Sequence, residues 1–379
     1  MAKLKKQTRN LLTVYLRHLK LSNYKNYRQL ELKFQKHFIL INGNNGSGKT
    51  NLMDAVHYLC LCKSFFIRQD ALLVLHGENF FRLDGSFSAG DETFTITAKF
   101  HPDKKKEFFK NDVLYEKLSD HVGLIPVIMI APGDVETING GSEERRRFLD
   151  AAIGQMDTMY LKKLIEYNKI LSQRNTLLKQ FSEQGKRDNA LLDVLNRQLA
   201  ERGDFIFETR KNFIDGFRKE FELMYRAFSS EKEIPTITYH SQLSEEVHLK
   251  LLKQNTEKDI AAQRTTAGIH KDDLLFFIDG FSLKENGSQG QIKSFLISLK
   301  LVLGTKIFQV TQKKPILLLD DIFEKLDIKR LHVLFTLLKA EFFDQIFITD
   351  ADEHRSIQYL TEADVEFQHI RIFQGEVLQ

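Results

Sequence analysis

The residues Gly43-Asn44-Asn45-Gly46-Ser47-Gly48-Lys49-Thr50 fill every position of the pattern G-x-x-x-x-G-K-[ST]. Glycines at this spacing let successive backbone N–H groups turn inward around phosphate oxygens, at the positive end of a helix. A lysine in the seventh place reaches the β- and γ-phosphates, and the hydroxyl after it can ligate Mg²⁺. The surroundings fit that chemistry. An apolar run, Phe38-Ile39-Leu40-Ile41, precedes the motif, and a helical pattern starts near Gly48 and continues into the early sixties. A phosphate loop needs this strand-then-helix context.

Two further stretches carry groups that would complete such a site. Ile316-Leu317-Leu318-Leu319 reads as a buried strand with Asp320 and Asp321 at its carboxyl end, where ligands of an open α/β sheet collect. Asp320 is the candidate Mg²⁺ ligand beside Thr50. Asp321 is placed to orient or deprotonate an attacking water. An ordinary strand ending in a solvated turn is the plainer alternative. Small kinases and GTPases bring their metal-binding acid back much sooner after the lysine than this chain does. The third stretch is Lys284-Glu285-Asn286-Gly287-Ser288-Gln289-Gly290-Gln291, a polar, glycine-bearing turn directly before a helical apolar pattern. It reads as a second anion-binding helix start, with Gly287 and Gly290 allowing close approach and Ser288 offering a hydroxyl. A polar turn with an N-cap serine is the alternative here.

The elements that must hold these residues divide the chain. Residues 1–139 and 262–379 read as one α/β domain split in sequence, and residues 140–261 as an inserted helical lobe. Residues 12–21 and 29–34 alternate as paired strands, and residues 81–120 read as hairpins with turns at Gly90-Asp91 and Asn111-Asp112. Residues 316–319 and 346–349 read as central parallel strands. In the lobe, Phe213, Phe217, Phe221 and Tyr225 step by four, a core stripe expected to pack against Leu191, Leu192, Leu195 and Leu199. The 55 Lys+Arg against 51 Asp+Glu leave a net charge of +4, which permits an anionic partner without requiring one. Two basic runs, Lys104-Lys105-Lys106 and Arg145-Arg146-Arg147, are candidate DNA contacts. For the arginines, pairing with Glu143, Glu144 and Asp150 is the plainer reading. Cys60 and Cys62 fit small core residues in a reducing cytosol. Lys3, Lys5, Lys6 and Arg9 precede an apolar stretch broken by Arg17, His18 and Lys20, which does not fit a signal peptide. No membrane span is expected.

Together the phosphate loop, the large helical insertion, the Ser-Gln-Gly-Gln stretch before a helix and the apolar strand with two acids resemble an ABC-type ATPase head. Phe323-Glu324-Lys325-Leu326-Asp327 is similar to that superfamily's D-loop. The resemblance implies that Ser288, Gln289, Gly290, Gln291 and Asp327 of one subunit act on the nucleotide held by the phosphate loop of another. Within the superfamily the chain resembles the RecF family over nearly its full length. The resemblance rests on Leu19-Lys20-Leu21-Ser22-Asn23-Tyr24-Lys25-Asn26-Tyr27, Ala131-Pro132-Gly133-Asp134, Arg145-Arg146-Arg147-Phe148-Leu149-Asp150, residues 171–179 (LSQRNTLLK) and Gly268-Ile269-His270-Lys271-Asp272-Asp273. It departs at Gly133, where the family has glutamate, at Ile269 and Lys271, and at Thr349-Asp350, where no switch histidine stands. The resemblance implies a cytoplasmic, ATP- and Mg²⁺-dependent homodimer with slow hydrolysis. Such a protein engages DNA at gaps and single-strand/double-strand junctions and works with RecR and RecO to help load RecA. Other ATP-gated modules of the superfamily in DNA processing or phage defence, and a transporter's nucleotide-binding subunit, are the alternatives.

Overall fold

A computed structural model describes residues 13–185, 187–229, 233–324, 326–339 and 342–378. Lys3, Lys5, Lys6, Arg9 and Lys325 lie outside them. The chain forms two compact units, residues 1–133 with 296–379 and residues 134–295.

The first unit opens with β1 (Val14–Tyr24), paired antiparallel to β2 (Tyr27–Lys33). β3 (Phe38–Asn42) is buried at every position, as a strand covered on both faces must be. The phosphate-loop motif follows, and α1 (Lys49–Leu61) begins within it. The expected hairpins are β4 (Phe81–Ala89), β5 (Glu92–Phe100), β6 (Glu107–Lys110) and β7 (Val113–Leu114). They join β1 and β2 in a six-stranded sheet of order β2-β1-β4-β5-β6-β7. β8 (Val127–Ile130) ends this part of the unit.

The second unit carries three long helices, α2 (Ser142–Met156), α3 (Thr158–Gln184) and α4 (Asn189–Phe228). Asp157 caps α3 by accepting from the Met159 and Tyr160 amides, and Asp188 caps α4 through the Leu191 amide. The aromatic stripe is a core stripe, but its expected partners are corrected. Leu191, Leu192, Leu195 and Leu199 lie on the same helix as the aromatics and cannot fold back onto them. Phe221 and Tyr225 pack instead on Phe295, at ring-centroid distances of 4.6 and 5.8 Å. A small sheet, order β11-β10-β9, is built from β9 (Pro235–His240), β10 (Asp273–Ile278) and β11 (Phe281–Ser282). β9 is not among the strands expected from the sequence. It pairs antiparallel with β10, and the second compact unit extends to residue 295.

The chain passes between units within α5 (Gln289–Thr311). This helix is long and apolar enough to cross a membrane, yet most of it is buried in the folded protein. The first unit then completes a second six-stranded sheet with β12 (Ile316–Leu319), α6 (Ile328–Lys339), β13 (Gln345–Asp350), α7 (Glu353–Glu362), β14 (Phe367–Phe373) and β15 (Glu376–Leu378). Its order is β15-β14-β3-β13-β12-β8. Every neighbouring pair is parallel except β14 with β15. Helix α1 packs against β4 and β5 of one sheet and β8 and β13 of the other. It is apolar nearly all round because it is covered nearly all round. Cys60 and Cys62 are buried there as free thiols.

Candidate functional site

The phosphate-loop residues are held from beneath by the β1–β2 turn. The Tyr27 hydroxyl donates to the Gly48 carbonyl at 2.9 Å, and the Asn26 amide donates to the Ser47 carbonyl at 3.1 Å. The Gly375 amide also donates to Ser47 O, at 3.0 Å, and Asn51 Nδ2 fixes the Asn26 side chain at 2.7 Å. In a planar trans peptide the N–H of the next residue points opposite to the carbonyl. Pinning the Ser47 and Gly48 carbonyls downward therefore aims the Gly48 and Lys49 amides the other way, into the loop. Gly46 and Gly48 have φ of +81° and +117°, which only glycine adopts without strain. Lys49 Nζ donates to the Gly43 and Asn44 carbonyls at 2.7 and 3.2 Å, folded across the loop. The Ser47 hydroxyl is buried without a partner among the described residues. A cradle of inward amides, a buried ammonium and an orphaned hydroxyl fits a polyphosphate. The turn residues Asn26 and Tyr27, read from sequence only as part of a strand and turn, are the loop's support.

The two acids sit at the carboxyl end of β12. Thr50 Oγ1 donates to both Asp320 carboxylate oxygens, at 3.0 and 3.1 Å, across a separation of 270 positions. Asp320 is 2% exposed, so this pairing of hydroxyl and carboxylate is made away from bulk water. That donor set, one hydroxyl and one carboxylate beside a phosphate cradle, suits a small hard cation such as Mg²⁺. Asp321 has a left-handed backbone, φ +50°, and its Oδ1 is buried without a hydrogen-bond partner among the described residues. Thr349, absent from the sequence reading as a site residue, touches both acids. Its Oγ1 donates to Asp320 Oδ1 at 2.8 Å and accepts the Asp321 amide at 2.9 Å. A polar residue closing an otherwise apolar parallel strand was its only signal. The next residue, Asp350, is fully buried and paired with Arg355 at 2.6 Å; burial raises its carboxyl and Arg355 opposes that shift.

The stretch around Ser288 belongs to the second unit, whereas the phosphate loop belongs to the first. The Ser288 amide donates to Gln291 Oε1 at 2.8 Å, and the Gln291 amide donates to Ser288 Oγ at 3.2 Å. This is a reciprocal capping box at the start of α5. The N-cap serine weighed above is thus realised, and Ser288 with Gln289 remains exposed beyond it. Gln291 Nε2 also donates to Glu233 at 2.9 Å. Gly287 is required by close approach, since a Cβ there would stand 2.4 Å from the Leu283 carbonyl. Asp327 caps α6, accepting the Arg330 amide at 2.9 Å, and its side chain is half exposed.

The family described as RecF/RecN/SMC N terminal domain matches residues 15–370, a span that takes in both acids and the phosphate loop. The chain is 41% identical to the DNA replication and repair protein RecF of Flavobacterium johnsoniae, over 94% of this chain and 98% of the relative. It is 39% identical to the protein of that name from Bacteroides thetaiotaomicron, over 96% and 98%. The chain belongs to the RecF family. It is similar to a solved structure of the recombination mediator protein RecF with ATP, from the RecFOR pathway, at a TM-score of 0.88 and 29% identity. That match covers 98% of this chain and 99% of the other. A Smc head domain from Pyrococcus furiosus, at a TM-score of 0.55 and 16% identity, shares the fold. The fold is therefore the ATPase head of the SMC and ABC type.

Three of the segments that carry the RecF likeness, residues 145–150, 171–179 and 268–273, contribute to buried polar clusters in the second unit. Arg210, 1% exposed, donates to Asp150 at 2.7 Å, to Asp272 at 2.8 Å and to the Tyr160 hydroxyl at 2.9 Å. Tyr239 bonds Asp272 as well. Arg174, fully buried, reaches Asp259 and Asn196 at 2.7 Å and Thr265 at 2.8 Å. His270 is held by Tyr167 and the Thr265 carbonyl. Burial keeps it neutral, at about 4.

The arginine run is drawn into the same unit. Arg145 makes a two-pronged pair with Asp273, at 2.6 and 2.9 Å, and Arg146 donates to the Asp272 carbonyl at 2.6 Å. Arg147 pairs with Glu143 and Glu144 as expected. Asp150 is taken by Arg210 instead. Of the lysine run, Lys106 is engaged by Asp70 at 2.7 Å and by the Cys62 carbonyl at 2.8 Å, while Lys104 and Lys105 are exposed.

Proposed function

We propose that the chain is a DNA-repair ATPase of the RecF type, a recombination mediator that dimerises on ATP and engages DNA at gaps and single-strand/double-strand junctions. RecR and RecO are its partners in assisting RecA loading. The observation that carries this reading is the meeting of the Thr50 hydroxyl and the Asp320 carboxylate beside the Lys49 cradle. The full-length likeness to RecF proteins supports the assignment of that site to DNA repair.

Residues Gly43 to Thr50 bind the triphosphate through their inward amides, and Lys49 leaves the Gly43 carbonyl to meet the β- and γ-phosphates. Thr50 and Asp320 would hold Mg²⁺, which supplies neutralising charge to the phosphates. Asp321 takes the proton of the attacking water or orients it. Ser288, Gln289, Gly290, Gln291 and Asp327 act on the nucleotide of a second copy, so that triphosphate closes a two-fold dimer and hydrolysis, with slow turnover, opens it. DNA binding is sequence-independent and salt-dependent. Light scattering with a non-hydrolysable ATP analogue tests the arrangement. Wild type becomes a dimer, while Ser288→Arg stays monomeric and still binds nucleotide. Equal dimerisation of both would remove the role given to Ser288.

A further inference from the structure

We propose that Thr349 is a positioning residue for ATP hydrolysis, a side chain that sets the metal-binding acid and the water-activating acid together. The inference rests on the roles given above to Asp320 and Asp321. Its basis is the hydrogen-bond inventory of a single hydroxyl. A threonine Oγ has one proton to give and lone pairs to receive. The Asp321 amide donates to it at 2.9 Å, so its own proton is directed to Asp320 Oδ1, 2.8 Å away. Thr349 is 0% exposed, so both bonds are sheltered from bulk water.

Sheet order explains why this residue can do so. β13 lies between β3, which delivers the phosphate loop, and β12, which delivers the acids. Leu319 pairs with Ile348 on one side of β13, and Thr349 pairs with Ile41 on the other. Continuing that register sets Thr349 beside Asp320, at the edge of the sheet where the nucleotide chemistry gathers. Both acids need an outside hold. Asp320 already receives Thr50 Oγ1, and a second donor on Oδ1 fixes the carboxylate plane. Asp321 has a left-handed backbone at φ +50°, a conformation that costs a non-glycine residue free energy and persists only where neighbours enforce it. The bond from its amide to Thr349 supplies that enforcement. With its carboxylate Oδ1 buried and without a hydrogen-bond partner among the described residues, Asp321 is aimed by its backbone. Rotating the peptide at Asp321 would redirect the carboxylate.

Thr349→Val keeps the shape and removes both bonds, and Thr349→Ser keeps both bonds and removes a methyl group. Outer partners of this kind are worth about 10- to 100-fold in activity. Steady-state ATPase kinetics and equilibrium binding of a fluorescent ATP analogue should be measured for wild type, both variants and Lys49→Ala. A thermal melt of each protein confirms folding. The expected result is a Thr349→Val protein that binds nucleotide within about twofold of wild type but turns over about tenfold more slowly or worse. Thr349→Ser recovers most of kcat. The proposal is overturned if Thr349→Val retains the wild-type kcat, or if Thr349→Ser falls as far as valine does. It is also overturned if binding drops in step with turnover, which would mark Thr349 as a prop of the fold. Lys49→Ala separates these outcomes from failure of the parent reading. If that variant binds ATP as wild type does, the nucleotide site itself is misassigned.

Discussion

Alanine at Gly48 and alanine at Gly46 should damage nucleotide binding to very different degrees, although both glycines belong to the same loop. Each has a left-handed φ, +117° at Gly48 and +81° at Gly46, so each substitution costs about 1–2 kcal/mol of backbone strain. At Gly46 nothing lies within 4 Å of the new Cβ and the cost stops there. At Gly48 the Cβ would stand 2.6 Å from the Tyr27 hydroxyl and 2.6 Å from Asn26 Nδ2. Those two groups pin the Gly48 and Ser47 carbonyls. Tyr27 is fully buried and cannot swing aside, so both bonds must lengthen or break. Two hydrogen bonds at about 1 kcal/mol each, one of them leaving a buried hydroxyl unpaired, add about 2–3 kcal/mol. The difference between the variants is then about 2–3 kcal/mol, or roughly 30- to 150-fold in ATP affinity. Titrating a fluorescent ATP analogue into both proteins reads this directly. If Gly48→Ala binds within about threefold of Gly46→Ala, the claim that the β1–β2 turn orients the loop amides is wrong.

Other expectations concern stability. Arg145→Ala should destabilise the protein by about 3–5 kcal/mol, because it leaves Asp273 without its two-pronged partner in a largely buried setting. Arg147→Ala, whose pairs are exposed, should cost less than about 1 kcal/mol; denaturant titrations of the two should differ accordingly. Burial holds His57 and His121 neutral, both at about 4. The unfolded chain takes up those protons near about pH 6.5, so stability present above that pH is lost as the pH falls toward 4. Melting temperatures should drop over this range, and His121→Gln should soften the drop. Asp344 has the opposite sign. Burial pushes its carboxyl up to about 6, so stability complete below about pH 4 is lost as the pH rises through 6. Asp344→Asn, which keeps an acceptor for the Val14 amide, should gain on wild type between about pH 4 and 7 by roughly 1–3 kcal/mol. Parallel melting curves would contradict the shift.

What the sequence displayed was whatever is written in consecutive residues. The phosphate loop, the strand before it and the strand ending in two acids are local patterns, and each lies where its pattern placed it. The capping box was also local, since Ser288 and Gln291 stand in the S-x-x-Q spacing, but a polar turn before a helix serves capping and anion binding with the same residues. The supports of the site were not local. Tyr27 and Asn26 act through carbonyls 21 positions away, and Thr349 through strand order. Arg145 finds Asp273 across 128 positions, so nearby Glu143 and Glu144 looked like its natural partners. The aromatic stripe was assigned to the core because its spacing is helical. Its partner Phe295 could not be read because it comes from a different helix, far along the chain.

Strand order also accounts for how a site can be assembled from residues 270 positions apart. In a parallel sheet the carboxyl ends of neighbouring strands emerge together whatever lies between them in sequence, so the inserted lobe between Thr50 and Ile316 can grow without moving Asp320 as long as β8 keeps its pairing with β12. What must not change is register. Side chains alternate faces along a strand, and a one-residue slip of β12 against β13 would present Asp321 where Asp320 now meets Thr50 and Thr349. The same slip would turn four fully buried side chains, Ile316 through Leu319, to the opposite faces of the sheet, and the packing lost in doing so is the hydrophobic penalty that holds the register. Asp321 then leaves the alternation through its left-handed backbone, so two adjacent acids are not bound to opposite faces of the sheet.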